Sequence, residues 1–228
     1  MKILTLETST EFCSVALYLD GKLFNKEILA ERRHSEILLP MVHELLEESA
    51  LALQQLDGIA FGAGPGSFTG LRIACGVAQG FAYATNLPVI GISTLEAVAQ
   101  QIDEQKIIVA LDARMGEIYH AAYQKLTNYY DWQVISPPTL CLPQHAPSVP
   151  GNGWIGCGSG FDVYREELLA LYGENIHQVH FKLHPQAGEI AHLALPKFTD
   201  GSDGSSTDPA NATPVYIRNK VALKENER

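Results

Sequence analysis

Asp20-Gly21 separates two short segments, Cys13–Leu19 and Lys22–Leu29, and constrains the fold more than any other feature of the chain. An Asp-Gly pair accepts the left-handed backbone of a two-residue hairpin turn, whose twist matches that of paired strands. Cys13–Leu19 alternates apolar and polar residues, the period of a half-buried strand. Lys2–Thr8, rich in Ile, Leu and Thr, precedes it, so an antiparallel three-stranded meander opens the chain. The period then changes. Ile37, Leu38, Met41, Val42, Leu45 and Leu46 form one stripe at helical spacing, which predicts a helix over Ser35–Ala50. Pro40 falls early in it and predicts a kink or a separate first turn. Asp57–Ala63 is the next expected strand, Gly64-Pro65-Gly66 breaks it, and a long helix spans Ser67–Thr85. Pro88–Ile92 is a strand, and Ser93-Thr94-Leu95-Glu96 is a capping box opening a helix to Gln101. Three antiparallel strands followed by alternating helices and strands predict a mixed sheet with helices on its faces.

After Glu104 the pattern restarts with expected strands at Lys106–Leu111, Glu117–Gln124 and Trp132–Ile135, and with a turn at Asn128-Tyr129-Tyr130-Asp131. The proline-rich stretch Ser136–Gly153 is expected to be irregular. Trp154–Cys157 is a short strand followed by a helix to Tyr172. His184–Leu195 is a further helix, with Pro185 in its first turn and an end near Pro196-Lys197-Phe198. Gly201–Asp208 contains only Gly, Ser, Asp and Thr and is expected to be a mobile surface loop. Val215, Tyr216, Ile217 and Val221 point to partial order in Pro214–Lys224. Two halves that each begin with strands suggest a degenerate duplication, and 228 residues accommodate one large domain or two small ones.

Charge narrows the function. Sixteen Lys and Arg oppose 26 Asp and Glu, a net charge of −10. Affinity for nucleic acid comes from Lys and Arg that displace counterions. The densest basic stretch is only Arg218, Lys220, Lys224 and Arg228, so the chain is not expected to grip nucleic acid by itself. Cys13, Cys75, Cys141 and Cys157 form no C-x-x-C pair and are expected as buried, reduced thiols. The apolar run after Lys2 is broken at Thr5 and Glu7, unlike a signal peptide, and no stretch approaches the ~18 apolar residues of a membrane span. A soluble cytoplasmic protein without membrane association is the expectation.

The strongest local motif is Gly62-Ala63-Gly64-Pro65-Gly66-Ser67-Phe68-Thr69-Gly70-Leu71-Arg72, between a strand and a helix. Anions bind at such junctions on free amides. The motif lacks the Lys of a P-loop, and Thr69 stands where a dinucleotide fingerprint needs its third Gly. A rigid turn allowing close backbone approach competes with a phosphate cradle. The following helix carries Gly70, Ala74, Gly76 and Gly80. Glycine inside a helix costs about 1 kcal/mol relative to alanine, which close packing within the fold or against another subunit would offset. His34-Ser35-Glu36 has the H-x-E of zinc deaminases without their P-C-x-x-C, and His43-Glu44-Leu45-Leu46-Glu47 misses the second His of H-E-x-x-H. Both histidines are expected on a solvated or interface-facing side of the helix. Glu7, beside Thr8 and Ser9, either faces a cleft or closes a strand-end turn. No G-x-S-x-G nucleophile elbow is present.

Taken in order, Leu4-Thr5-Leu6-Glu7-Thr8-Ser9, His34-Ser35-Glu36, Gly64-Pro65-Gly66-Ser67-Phe68-Thr69-Gly70-Leu71-Arg72, Asp112-Ala113-Arg114-Met115-Gly116-Glu117-Ile118-Tyr119 and Pro214-Val215-Tyr216-Ile217-Arg218-Asn219 resemble the TsaB (YeaZ) family over essentially the whole length. The resemblance implies an α/β fold of the actin, heat-shock-chaperone and sugar-kinase (ASKHA, RNase H-like) type. It implies two lobes: 1–105 with a mixed five-stranded sheet and the partner-binding helices, and a smaller, degenerate 106–228. It further implies a non-catalytic dimerisation subunit in the formation of N6-threonylcarbamoyladenosine at tRNA position 37. Such a subunit pairs with a TsaD-type transferase, joined by a TsaE-type ATPase. It meets tRNA only through the complex, and it forms a homodimer when isolated.

The metal-binding relative carries H-x-x-x-H where this chain has His34 to Leu38, and the acid and glycine turn of actin-type ATPases is replaced by Glu7-Thr8-Ser9. One His without a partner is a poor metal site. The expectation is a pseudoenzyme with no metal, no catalytic residue and no cofactor of its own, with ATP or ADP at the complex interface. Gly156-Cys157-Gly158-Ser159-Gly160 is a candidate remnant of an adenosine loop. Expected interface residues are His34, Glu36, Met41, His43, Gly70, Ala74, Gly76 and Gly80. Candidates for nucleotide or phosphate contact are Glu7, Ser9, Arg72, Arg114 and Arg218, each arginine having an ordinary salt bridge as its competing role. The alternative function is an active ATP-dependent kinase or hydrolase of the same fold. A peptidase lacks both a nucleophile elbow and a complete zinc motif here.

Overall fold

The computed structural model describes residues 1–126, 132–200 and 208–218. Strands β1 (Lys2–Glu7), β2 (Phe12–Leu19) and β3 (Lys22–Leu29) form the expected meander. Asp20 and Gly21 turn it with φ of 47° and 93°. Helix α1 (His34–Glu48) runs through Pro40 without a separate first turn, because its stripe of Leu38, Met41, Val42, Leu45 and Leu46 is buried against the sheet. Strand β4 (Gly58–Gly64) lies parallel to β1, and β5 (Val89–Ser93) parallel to β4. Helix α2 (Phe68–Thr85) connects them, capped at its start by Ser67 and ended by left-handed Asn86. Ser93 caps α3 (Thr94–Ala99), accepting the Glu96 N–H at 3.4 Å. The sheet order is β3-β2-β1-β4-β5.

The second half repeats this plan. Strands β6 (Lys106–Asp112), β7 (Ile118–Lys125) and β8 (Trp132–Cys141) are antiparallel, and β9 (Trp154–Cys157) and β10 (Ile176–His180) continue the sheet in parallel beside β6. The order β10-β9-β6-β7-β8 is the first sheet's order repeated strand for strand. Helices α4 (Ser159–Val163) and α5 (Arg165–Tyr172) follow β9, and α6 (Ala187–Asp200) follows β10.

Several expectations are corrected. The stretch from Ser136 is not irregular at its start, since β8 continues through Pro137-Pro138 to Cys141. Edge strands tolerate proline because the missing N–H faces no partner, and the register shifts beside Ala122 absorb the misfit. The single helix expected up to Tyr172 is two, broken at Tyr164, which leaves helical geometry at φ −118°. Strand β10 was not expected; its Ile176-His177-Gln178-Val179-His180 is too polar and short to signal a strand. Helix α6 begins at Ala187 rather than His184 and passes Pro196, held by the buried face of Ile190, Ala191, Leu193 and Ala194. The turn expected at Asn128–Asp131, most of the loop expected from Gly201, and Lys220, Val221, Lys224 and Arg228 lie outside the described residues.

α6 returns to the first sheet. Thr5 Oγ1–H donates to the Ala187 carbonyl at 2.7 Å, and the Ala187 N–H donates to Ser14 Oγ at 3.0 Å. It also joins the two halves, because Ile190 and Leu193 share an apolar cluster with Ala60 and Ile90 of the first sheet and Val109 and Tyr123 of the second. Cys13, Cys75 and Cys157 are buried and Cys141 is half-buried, all free. Among the described residues no helix is long and apolar enough to cross a membrane.

Candidate functional site

Glu7 ends β1 and is 1 % exposed. Burial raises its carboxyl to about 7, against the opposing pull of the Ser9 hydroxyl and N–H, His184 and the Thr8 N–H. The Ser9 N–H donates to Oε1, closing the strand-end turn. Ser9 is buried as well, so neither side chain reaches the surface of a cleft.

The glycine motif packs directly over this turn. A Cβ at Gly62 would overlap the Glu7 carboxylate, one at Gly66 would lie 2.6 Å from Ser9 Cβ, and one at Gly70 would overlap the Thr8 carbonyl. The Ser67 N–H donates to the Ser9 carbonyl at 2.8 Å, Thr8 Oγ1–H donates to the Gly70 carbonyl at 2.7 Å, and the Gly70 N–H donates to Ser67 Oγ at 3.4 Å. The amides of Ser67 and Gly70, which a phosphate cradle would use, already have internal partners. The glycines here permit close backbone approach. Gly156–Gly160 behaves alike: a Cβ at Gly156 would lie 2.7 Å from the Phe161 ring, and one at Gly158, at φ +95°, would lie 2.5 Å from the Ala110 carbonyl.

Beyond this joint, a cavity of about 200 Å³ opens between the halves, walled by Ser67, Phe68 and Leu71 on one side, Met115 and Tyr119 on another, and residues 215–218 on the third. Arg218 lines it, and Arg72 and Arg114 adjoin residues of its walls. Arg72 Nε–H donates to Tyr216 Oη at 2.9 Å, and its guanidinium stacks 3.8 Å from the Phe68 ring centroid. Arg114 pairs with Asp112 at 3.0 Å. Arg218 pairs with Glu117 at 2.8 Å and donates to the Ala113 carbonyl at 3.0 Å. Arg114 and Arg218 therefore form ion pairs, and Arg72 is held by aromatic rings.

The expected interface residues divide by burial. His34 is not on a solvated face: it is 6 % exposed, with Nε2 3.2 Å from the Phe12 carbonyl, and Leu38 one turn on is buried in the core. Gly70 and Ala74 face the chain's own interior, and Met41 is nearly buried. Glu36 and His43 are exposed, with His43 Nε2 3.6 Å from Glu47. Gly76 and Gly80 are exposed, and a Cβ at either would meet nothing within 4 Å among the described residues, so packing among those residues does not account for them. With Phe68, Arg72 and Tyr83 they form one exposed stripe along α2, ending in a Tyr83 side chain that is 63 % exposed. Sequence reasoning missed Phe68, Tyr83 and Tyr216, although the spacing of Phe68, Arg72, Gly76 and Gly80 by four residues would have placed the first of these on the stripe. Among the described residues no three His, Cys, Asp or Glu side chains converge as metal ligands.

Residues 27–137 match a family model described as TsaD: tRNA N6-adenosine threonylcarbamoyltransferase. The chain is 36% identical over 236 positions to the tRNA threonylcarbamoyladenosine biosynthesis protein TsaB of Escherichia coli K12, covering 99% of this chain and 98% of that protein. It is 35% identical to the protein of the same name from Haemophilus influenzae, over 99% of this chain and 97% of that one. Among solved structures, YeaZ from Pseudomonas aeruginosa superposes with a TM-score of 0.83 at 34% identity, over 94% of this chain and 99% of that chain. A second Pseudomonas aeruginosa structure, described as an uncharacterized protein similar to peptidase YEAZ, gives a TM-score of 0.85 at 34% identity, over 95% and 99%. The likeness runs through both sheets, and the fold is the α/β architecture of those two structures, built on two mixed five-stranded sheets.

Proposed function

The chain belongs to the TsaB family, and from that premise we propose that it is a non-catalytic subunit needed for N6-threonylcarbamoyladenosine formation at tRNA position 37. In this reading it binds and activates a TsaD-type transferase, with a TsaE-type ATPase joining the pair and tRNA engaged through the assembly. The chain has no nucleotide cofactor of its own, and any ATP or ADP sits at the junction with the partner. The observation that carries the reading is the exposed stripe of α2. Gly76 and Gly80 each cost a helix interior about 1 kcal/mol relative to alanine, and no described neighbour within this chain uses the space they leave. A second helix packed at close range would use it, flanked by Phe68, Arg72 and Tyr83 on α2 and by Glu36 and His43 on α1.

The same stripe supports self-association when the partner is missing. The closed packing of Glu7, Ser9 and both glycine motifs favours a pseudoenzyme over the kinase or hydrolase alternative. Sedimentation of the purified chain with a TsaD-type partner tests the reading. Gly80→Trp should abolish the heterodimer and the homodimer while the chain keeps its melting temperature within a few degrees. Unchanged affinity for both would overturn the placement.

A further inference from the structure

Residues 208–218 follow an extended path, apart from one short turn at Pro209–Asn211, and cross from one lobe to the other. On the first lobe they are tied along the flank of α2. Gln79 Nε2–H donates to the carbonyls of Pro209 and Ala212, both at 3.0 Å, and Cys75 Sγ–H donates to the Ala212 carbonyl at 3.4 Å. The Val215 N–H donates to the Ala63 carbonyl at the end of β4, at 2.7 Å. Gly64 makes room for this crossing, since a Cβ there would lie 2.7 Å from the Val215 carbonyl. Tyr216 then accepts the Arg72 hydrogen bond, and Ile217 packs against the apolar cluster shared by both halves.

On the second lobe, among the described residues, the segment's polar ties come from Arg218. Arg218 holds the turn between β6 and β7 through Glu117 at 2.8 Å and the Ala113 carbonyl at 3.0 Å. That turn is itself tight: Arg114 and Met115 have φ of 61° and 58°, and the Ala113 N–H donates to the Glu117 carbonyl at 2.9 Å. The same segment forms one wall of the inter-lobe cavity. Here a tail ordered by the first lobe reaches over and grips a hairpin of the second.

We propose that residues 208–218 are a latch that holds the Ala113–Glu117 turn of the second lobe to α2 of the first, with the Arg218–Glu117 pair as its lock. The latch keeps the inter-lobe cavity at its present width and presents α2 and the Ala113–Glu117 turn as one rigid surface. Opening the lock would loosen residues 215–218 and the hairpin together, while the sheets on either side stay intact.

Hydrogen exchange followed by mass spectrometry on the full chain tests this, comparing segments 209–218 and 112–119 with β1 and β4 as internal references. Arg218→Met should speed exchange in both segments by about tenfold or more, with β1 and β4 unchanged. Glu117→Gln should speed exchange in both segments by less, because the Arg218 bond to the Ala113 carbonyl survives it, and the double variant should exceed Arg218→Met alone by little. Val215→Pro removes the N–H that anchors the tail to Ala63, and should loosen the hairpin although it lies on the first lobe. Wild-type exchange at the hairpin in Val215→Pro, or at the tail in both lock variants, would overturn the latch. So would additive effects of Arg218→Met and Glu117→Gln.

Discussion

Gly62 faces the Glu7 carboxylate with no space for a side chain between them. The contact joins the centre of β4 to the end of β1 and places an acid in the interior, where burial raises its carboxyl from an ordinary 4.5 to about 7. The folded chain therefore holds a proton over a pH range in which the unfolded chain has released it. Stability from this group is fully present below about pH 4.5 and is lost as pH rises through about 7. The size is about 3 kcal/mol by linkage. Glu7→Gln keeps the shape and removes the charge, so it should flatten the denaturant-midpoint profile between these limits and stabilise the chain at pH 8. An unchanged slope would contradict the buried carboxyl.

Glycines of one helix should respond in opposite ways. A methyl at Gly70 would overlap the Thr8 backbone, which cannot yield as a side-chain end can. Gly70→Ala should therefore destabilise by about 1–3 kcal/mol or more. Gly76 has open space beside it, so Gly76→Ala should stabilise the isolated chain by about 1 kcal/mol through helix propensity. Thermal melts of the two variants at low concentration, where association is absent, read both signs.

The thiols should resist alkylation in the native state. Burial raises Cys13 to about 12, helped by the nearby Glu7, and raises Cys141 to about 11, helped by Glu117. Thiolate is the reactive form, so labelling at pH 8 should be slow throughout. Cys141, the one half-buried thiol, should react first. Rapid modification of Cys13, Cys75 or Cys157 without denaturant would contradict the packing described.

The first sheet was legible because each of its elements has a strong local cause: the Asp20-Gly21 turn, the helical stripe of α1, and the Ser93 cap. The second sheet was less so. β10 is short and polar, and β8 contains two prolines that only an edge position makes tolerable. In the candidate site, residue type pointed to the right places without giving their direction. The sequence places His34 on a solvated or interface-facing side of the helix, yet it is covered once α1 docks on the first sheet and its ring meets the Phe12 carbonyl. Gly70 and Ala74 share α2 with Gly76 and Gly80, and only the packed helix separates the pair turned inward from the pair turned out. Tyr216 signals an ordered segment in the sequence but not its partner, because its bond to Arg72 spans 144 residues.

The most direct test of the central claim is the rate of tRNA threonylcarbamoylation reconstituted from purified components, measured with this chain omitted, present, or present as Gly80→Trp. Omission should reduce the rate severely, the wild-type chain should restore it, and Gly80→Trp should fail to restore it although folded. Modification at the full rate without the chain would contradict its role.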